Sequence, residues 1–157
     1  MTNISFELEG QHRIIQTLNE LYRAMGNVQE PAEKVGDWLE NEIQLGIKEG
    51  HSPWGDPFEP LQALRRSNRD PRVSDVPLND TRQHIYNRIT HQADGNGVMV
   101  GMLEDVLIGA THQFGSERNN IPARPFLPIT SSGVDLPHDW ENEIMAILQD
   151  YLDRAME

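Results

Sequence analysis

Residues 112–128 read HQFGSERNNIPARPFLP, and this stretch does most to decide the fold. Its glycine and three prolines exclude a continuous helix or strand, because each proline fixes its own φ and pushes the preceding residue toward extended backbone. We call this pre-formed bend the shoulder. Phe114 and Phe126 are predicted to be core anchors, and residues 116–120 are the best candidate for an exposed contact. The shoulder is therefore a structural corner or a docking surface.

A single arginine in the shoulder and a cluster of four arginines elsewhere are candidate contact residues. Arg124 stands on stiff backbone between Ala123 and Pro125. Its guanidinium can bind a carboxylate or the C-terminal carbonyls of a helix, or it can form an internal salt bridge that fixes the corner, which we favour. Four more arginines cluster in a loop and suit bidentate recognition of phosphates or carboxylates, or serve only as a solvated surface: Arg65, Arg66, Arg69 and Arg72. A neighbouring acidic copy of this chain is an attractive target for them.

Outward from the shoulder, hydrophobic periodicity predicts both helices and strands. Alternating apolar residues predict strands at 4–9, 87–93 and 98–102, with a tight turn at 94–97 between the last two. Apolar residues at helical spacing predict helices at 11–25, 31–50 and 104–114, and another that begins at Pro137. We expect one α+β domain over residues 1–157, with a small antiparallel or mixed sheet flanked by about three helices.

Two further features of the chain predict close contacts. Residues 51–79 form a long proline-rich loop, and loops of that length are usually functional or mobile, so we expect it to become ordered on assembly. Gly36 and Gly46 lie inside the second predicted helix, where glycine costs about 1 kcal/mol relative to alanine. They indicate either close packing within the chain or tight contact between subunits.

Composition excludes several classes of function. The formal net charge of −12 argues against nonspecific binding of nucleic acid and of anionic membranes. The chain has no cysteine, which excludes disulfides and thiolate metal sites. No apolar run approaches the ~20 residues that cross a bilayer. We therefore expect a protein that does not bind membranes.

The sequence also lacks the usual signatures of catalysis. His84, His91 and His112 are not spaced as a helical zinc pair, and no ligand set with Glu104 and Asp105 can be recognised from the spacing. No nucleophile elbow or phosphate-binding loop is present, and residues 95–97 fit a hairpin turn. We expect no catalytic residue, no metal site and no cofactor.

The shoulder is also the centre of a family resemblance. Together with Leu78–Thr81 and Val98–Gly101, it resembles the tailed-bacteriophage virion morphogenesis, or tail completion, family. Arg82 stands where many members have glycine, and Gly109 stands where the family has an aromatic residue. The motif positions, which the resemblance marks as interface candidates, are His112, Gln113, Phe114, Gly115, Ile121, Pro122, Arg124, Pro125 and Phe126.

The resemblance implies a structural protein without enzymatic activity. It would complete or terminate the tail and help head–tail joining as a ring, in contact with its own copies and with other tail or head-connector proteins. DNA would pass through the ring without specific binding. The protein would lie in the virion, at the tail or neck, and in the host cytoplasm during assembly. The alternatives are a small metal-dependent hydrolase that uses His112 and nearby acids, and a phage regulator that binds one host protein.

Overall fold

The computed structural model describes residues 4–7, 12–60, 85–102 and 104–156, with the backbone alone at 4–7. Over these ranges the chain is α+β, as the periodicity predicts, and its elements follow in sequence order. They are β1 (Ile4–Glu7), α1 (His12–Met25), α2 (Gln29–Glu49), α3 (Ile85–Arg88), β2 (Ile89–Ala93), β3 (Val98–Met102), α4 (Val106–Phe114), β4 (Ile129–Thr130), β5 (Gly133–Val134) and α5 (His138–Ala155).

The main sheet has three antiparallel strands in the order β1–β3–β2. Met102 in the central strand pairs with Ile4 on one side and with Ile89 on the other. The predicted turn between β2 and β3 is confirmed, since the Asp94 carboxylate accepts hydrogen bonds from the backbone N–H groups of Asn96 (2.8 Å) and Gly97 (3.0 Å). Strands β4 and β5 form a separate small hairpin.

Helix α2 is the central helix and packs on β2, β3 and α5, while α1 packs mainly on α5. Its buried stripe recurs at every fourth residue or so: Val35, Leu39, Ile43 and Ile47. Full burial of such a side chain is worth roughly 1.5–3 kcal/mol. The helix begins at Gln29, so Pro31 lies in its first turn, where the missing N–H costs no helical hydrogen bond. It ends at Glu49, and Gly50 follows as the C-cap with a φ of 84° in the left-handed region that favours glycine.

The two glycines inside α2 serve close packing within the chain. A Cβ at Gly36 would lie 2.4 Å from Cδ2 of His91, so β2 approaches the helix there as only glycine allows. A Cβ at Gly46 would lie 3.1 Å from the carbonyl oxygen of His51. Of the two explanations that the sequence left open, packing within the chain accounts for both positions.

The first part of the long loop folds back on the domain. His51 and Pro57 form an isolated β-bridge, and Phe58 is buried. The rest of the predicted loop after residue 60 lies outside the described residues, and so do the four arginines of the basic cluster and Leu78–Thr81. In the part of the chain that the structure covers, no helix has both the length and the apolar character that a membrane span requires.

Candidate functional site

Helix α4 leads into the shoulder, and an ion-pair group lies just before its first turn. Arg88, at the end of α3, pairs with Glu104 and, through Nε, with the Asp105 carboxylate at 2.8 Å. The two acids precede the first residue of α4, where negative charge complements the helix dipole. Glu104 and Asp105 are therefore engaged with Arg88.

The Gln113 side chain is the central connection of the shoulder. Its Oε1 accepts hydrogen bonds from the backbone N–H groups of Phe126 and Leu127, both at 2.9 Å. Its Nε2 donates to the carbonyl oxygens of Leu127 (3.0 Å) and Ile129 (3.1 Å). One buried amide thus hydrogen-bonds four backbone groups of the segment that leads into β4.

Gly115 closes the bend on its other side. Its φ is 77°, and a Cβ there would lie 2.9 Å from the backbone nitrogen of Ala123 and 3.0 Å from the carbonyl oxygen of Ile121. Beyond it, Ser116 and Ile121 exchange two backbone hydrogen bonds of 2.8 Å, which leaves residues 117–120 as an exposed tip. The predicted contact loop is therefore exposed, except for the half-buried Ser116.

Arg124 is buried and faces the interior. Its Nε donates to the carbonyl oxygen of Glu59 at 2.7 Å, and its Nη2 donates to that of Pro60 at 3.0 Å. Its backbone N–H donates to the carbonyl oxygen of His112 at 2.7 Å. Arg124 therefore ties the backbone of residues 59–60 to the shoulder from inside; these contacts are to carbonyl oxygens, whereas the sequence favoured an internal salt bridge.

Helix α4 carries an exposed apolar face. Leu107 is 81% exposed and Phe114 is 52% exposed, and Ile108 beside them is also exposed. The prediction that Phe114 is a core residue is wrong, whereas Phe126 is buried as predicted. The reason is that Gly109 and Gln113, one turn apart, form the buried side of α4. The residue after Gln113 is rotated by about 100° and so faces outward. We call Leu107, Ile108 and Phe114 the α4 face.

A second group of polar side chains surrounds His91 on β2. Its Nε2 lies 2.7 Å from Oε1 of Glu33 and 3.4 Å from Oδ1 of Asp37, and its Nδ1 lies 2.5 Å from Oε2 of Glu40. The His91 side chain is only 11% exposed. Burial lowers the pKa of His91, but the hydrogen bonds to Glu33 and Glu40 outweigh it, so the pKa is raised overall.

Sequence reasoning missed this His91 cluster. The signal was available in the three acids at positions 33, 37 and 40, whose spacing places them on one side of α2. The spacing alone does not reveal the histidine, because His91 reaches them only through the packing of β2 on α2. The structure thus pairs His91 with acids of α2, while His84 lies outside the described residues.

The model of the phage virion morphogenesis family matches residues 10–153. The chain belongs to that family. The match spans nearly the whole chain and includes both the shoulder and the His91 cluster, and it supports a role in assembly of the phage virion. Searches of curated proteins and of solved structures found no significant match.

The structure explains the physical role of several shoulder residues that carried the resemblance. Gln113 binds the backbone of residues 126–129, Gly115 permits a close approach to Ala123, and Arg124 anchors the preceding loop. Among the large apolar residues of the motif, Phe114 alone is exposed, with about half of its surface accessible to solvent. The shoulder is thus held by internal hydrogen bonds, and the exposed α4 face adjoins it.

Proposed function

We propose that this protein is a structural, non-catalytic subunit that completes or terminates the phage tail and helps join head to tail. Copies of the chain would close into a ring, with other tail or head-connector proteins stacked on it. The observation that carries the proposal is the α4 face, an exposed apolar surface mounted on the Gln113 connection.

The internal hydrogen bonds of the shoulder favour assembly for a thermodynamic reason. A surface that is already ordered loses little conformational entropy when a partner covers it. The backbone of residues 126–129 is already hydrogen-bonded to Gln113 before any partner binds. The apolar side chains of Leu107 and Phe114, in contrast, remain exposed to solvent and gain free energy when a partner buries them. Burial of their exposed portions is worth roughly 3 kcal/mol together, on the scale of 1.5–3 kcal/mol for each full side chain.

A ring requires a head-to-tail interface, in which the α4 face of one copy contacts a different surface of the next. The net charge of −12 keeps free copies apart, so apolar contact has to supply the attraction. The same acidic character suits a ring through which DNA passes, because it offers phosphates no counter-charge to hold them.

Electron microscopy of particles made without this protein tests the biological role. Free heads beside tails of abnormal length, or with unfinished ends, are the expected result. Normal infectious particles would end the proposal. The protein is also expected to be detected in purified virions. Its absence from them would favour the alternative, a phage regulator that binds one host protein.

The solution mass tests the ring and its interface. We expect native mass spectrometry of the full chain to show a closed oligomer, and the double variant L107S/F114S to weaken association roughly 100-fold, which corresponds to the 3 kcal/mol above. The matched control is Y22S/M156S, because Tyr22 is 51% exposed and Met156 is 75% exposed. A strict monomer in solution and in particles would contradict the ring, and equal weakening in the control would remove the α4 face from it.

A further inference from the structure

We propose that Glu33, Asp37 and His91 form a binding site for a divalent transition-metal ion of the Zn²⁺ or Mn²⁺ class. This inference goes beyond the assembly role and does not depend on it. The donor atoms of the three side chains all lie within 4.8 Å of one another. One imidazole nitrogen with two carboxylate oxygens is a donor set that these metals accept.

The imidazole is the decisive group, since surface carboxylates alone would not define a site. His91 presents Nε2 toward Glu33 and Asp37, which belong to consecutive turns of α2. The ring cannot turn away easily, because it lies in the space that the missing Cβ of Gly36 leaves open. A nearly buried and fixed nitrogen thus faces two carboxylates that are more than half exposed and accessible to an incoming ion.

Glu40 contacts the second ring nitrogen of His91. Its Oε2 lies 2.5 Å from Nδ1 of His91, on the side of the ring opposite the proposed metal. Metal-binding histidines commonly donate their second N–H to a carboxylate, which fixes the tautomer and orients the ring. With the proton held at Nδ1 by Glu40, the lone pair of Nε2 is directed at the ion.

An ion at this position would join α2 to β2. Glu33 and Asp37 lie near the start of α2, and His91 lies in the middle of β2, an edge strand of the main sheet. Without metal, Nε2 of His91 lies 2.7 Å from the Glu33 carboxylate; with metal, the nitrogen and the carboxylates would bind the ion between them. Because the ion binds only the folded arrangement, it raises the thermal stability of the protein.

The test uses the full chain after removal of metal with a chelator. Isothermal titration calorimetry with Zn²⁺ and, separately, Mn²⁺ is expected to show one saturable site per chain, together with an upward shift of the melting temperature. D37N keeps the fold because Asp37 is exposed, and it is expected to weaken binding about tenfold or more. E40Q leaves all three ligands in place and is expected to weaken binding about 10–100-fold through the ring orientation.

H51Q is the matched control. His51 also contacts a carboxylate, that of Glu49 at 2.8 Å, but among the described residues it does not belong to a group of three side chains that could hold a metal ion. H51Q is expected to bind metal like the wild type, whereas H91Q loses the site. Absence of saturable binding at millimolar metal would overturn the proposal. Binding that persists in H91Q, or that falls equally in H51Q, would also overturn it.

Discussion

Replacing Gln113 with leucine gives the sharpest test of how the shoulder is held. The change keeps a side chain of similar length but removes every donor and acceptor from it. The N–H groups of Phe126 and Leu127 then lose their partner, and the Ile129 carbonyl loses one donor. The Leu127 carbonyl still accepts the backbone N–H of Ile129 at 2.8 Å. Phe126 and Leu127 are buried, so water cannot easily replace the lost bonds.

The expected cost follows mainly from the two buried N–H groups of Phe126 and Leu127. A buried polar group without a partner costs about 1–3 kcal/mol. Some relaxation is possible near Ile129, which is only half-buried, so we expect a loss of about 2–4 kcal/mol in the free energy of unfolding. That is a large part of the roughly 5–15 kcal/mol that stabilises a typical domain. Urea denaturation followed by tryptophan fluorescence and circular dichroism measures it.

A control variant separates this effect from a general intolerance of the change. Gln149 on α5 is exposed and donates one hydrogen bond, to Asp153 at 2.9 Å. Q149L is therefore expected to change stability by no more than about 0.5 kcal/mol. If Q113L lost less than about 1 kcal/mol, the value of a single ordinary hydrogen bond, the reasoning about the Gln113 connection would be refuted.

Two further predictions concern other parts of the chain. G36A places a methyl group against the His91 ring and is expected to cost about 1–3 kcal/mol, whereas G97A enters open space and should be nearly neutral in the same urea titration. The pKa of His51 is raised by its hydrogen bonds to the Ser52 carbonyl and to Glu49, so its stabilisation is complete below pH 6.5 and is lost as pH rises through the raised value. Stability curves from pH 5 to 9 should show this loss in the wild type and not in H51Q; equal slopes would contradict it.

Local patterns predicted most of the elements because their causes are local. The apolar spacing of α2 and the Asp94 turn depend on residues a few positions apart, and both were confirmed. Helix α4 was harder, since apolar residues occur on most of its sides and periodicity cannot say which side is buried. The answer depends on Gln113, whose partners lie 13–16 residues further along the chain.

The candidate site shows the same division between local and tertiary information. The shoulder was recognisable because prolines and glycine constrain the backbone wherever they occur. The His91 cluster was not recognisable, because it requires the register of β2 and its packing on α2 as well as three acids on one helix. The outward turn of Phe114 does not follow from local pattern, because it depends on the burial of Gln113.

Chemical labelling in assembled particles tests the central claim most directly, namely that the α4 face is covered by a neighbouring protein. The chain has no cysteine, so L107C provides a single thiol, and M156C is a control of similar exposure. The account predicts that a maleimide reagent labels L107C rapidly in the dissociated subunit and at least about tenfold more slowly in purified virions, as expected for a side chain at the dry centre of an interface. Equal labelling of L107C in the two states would contradict the claim.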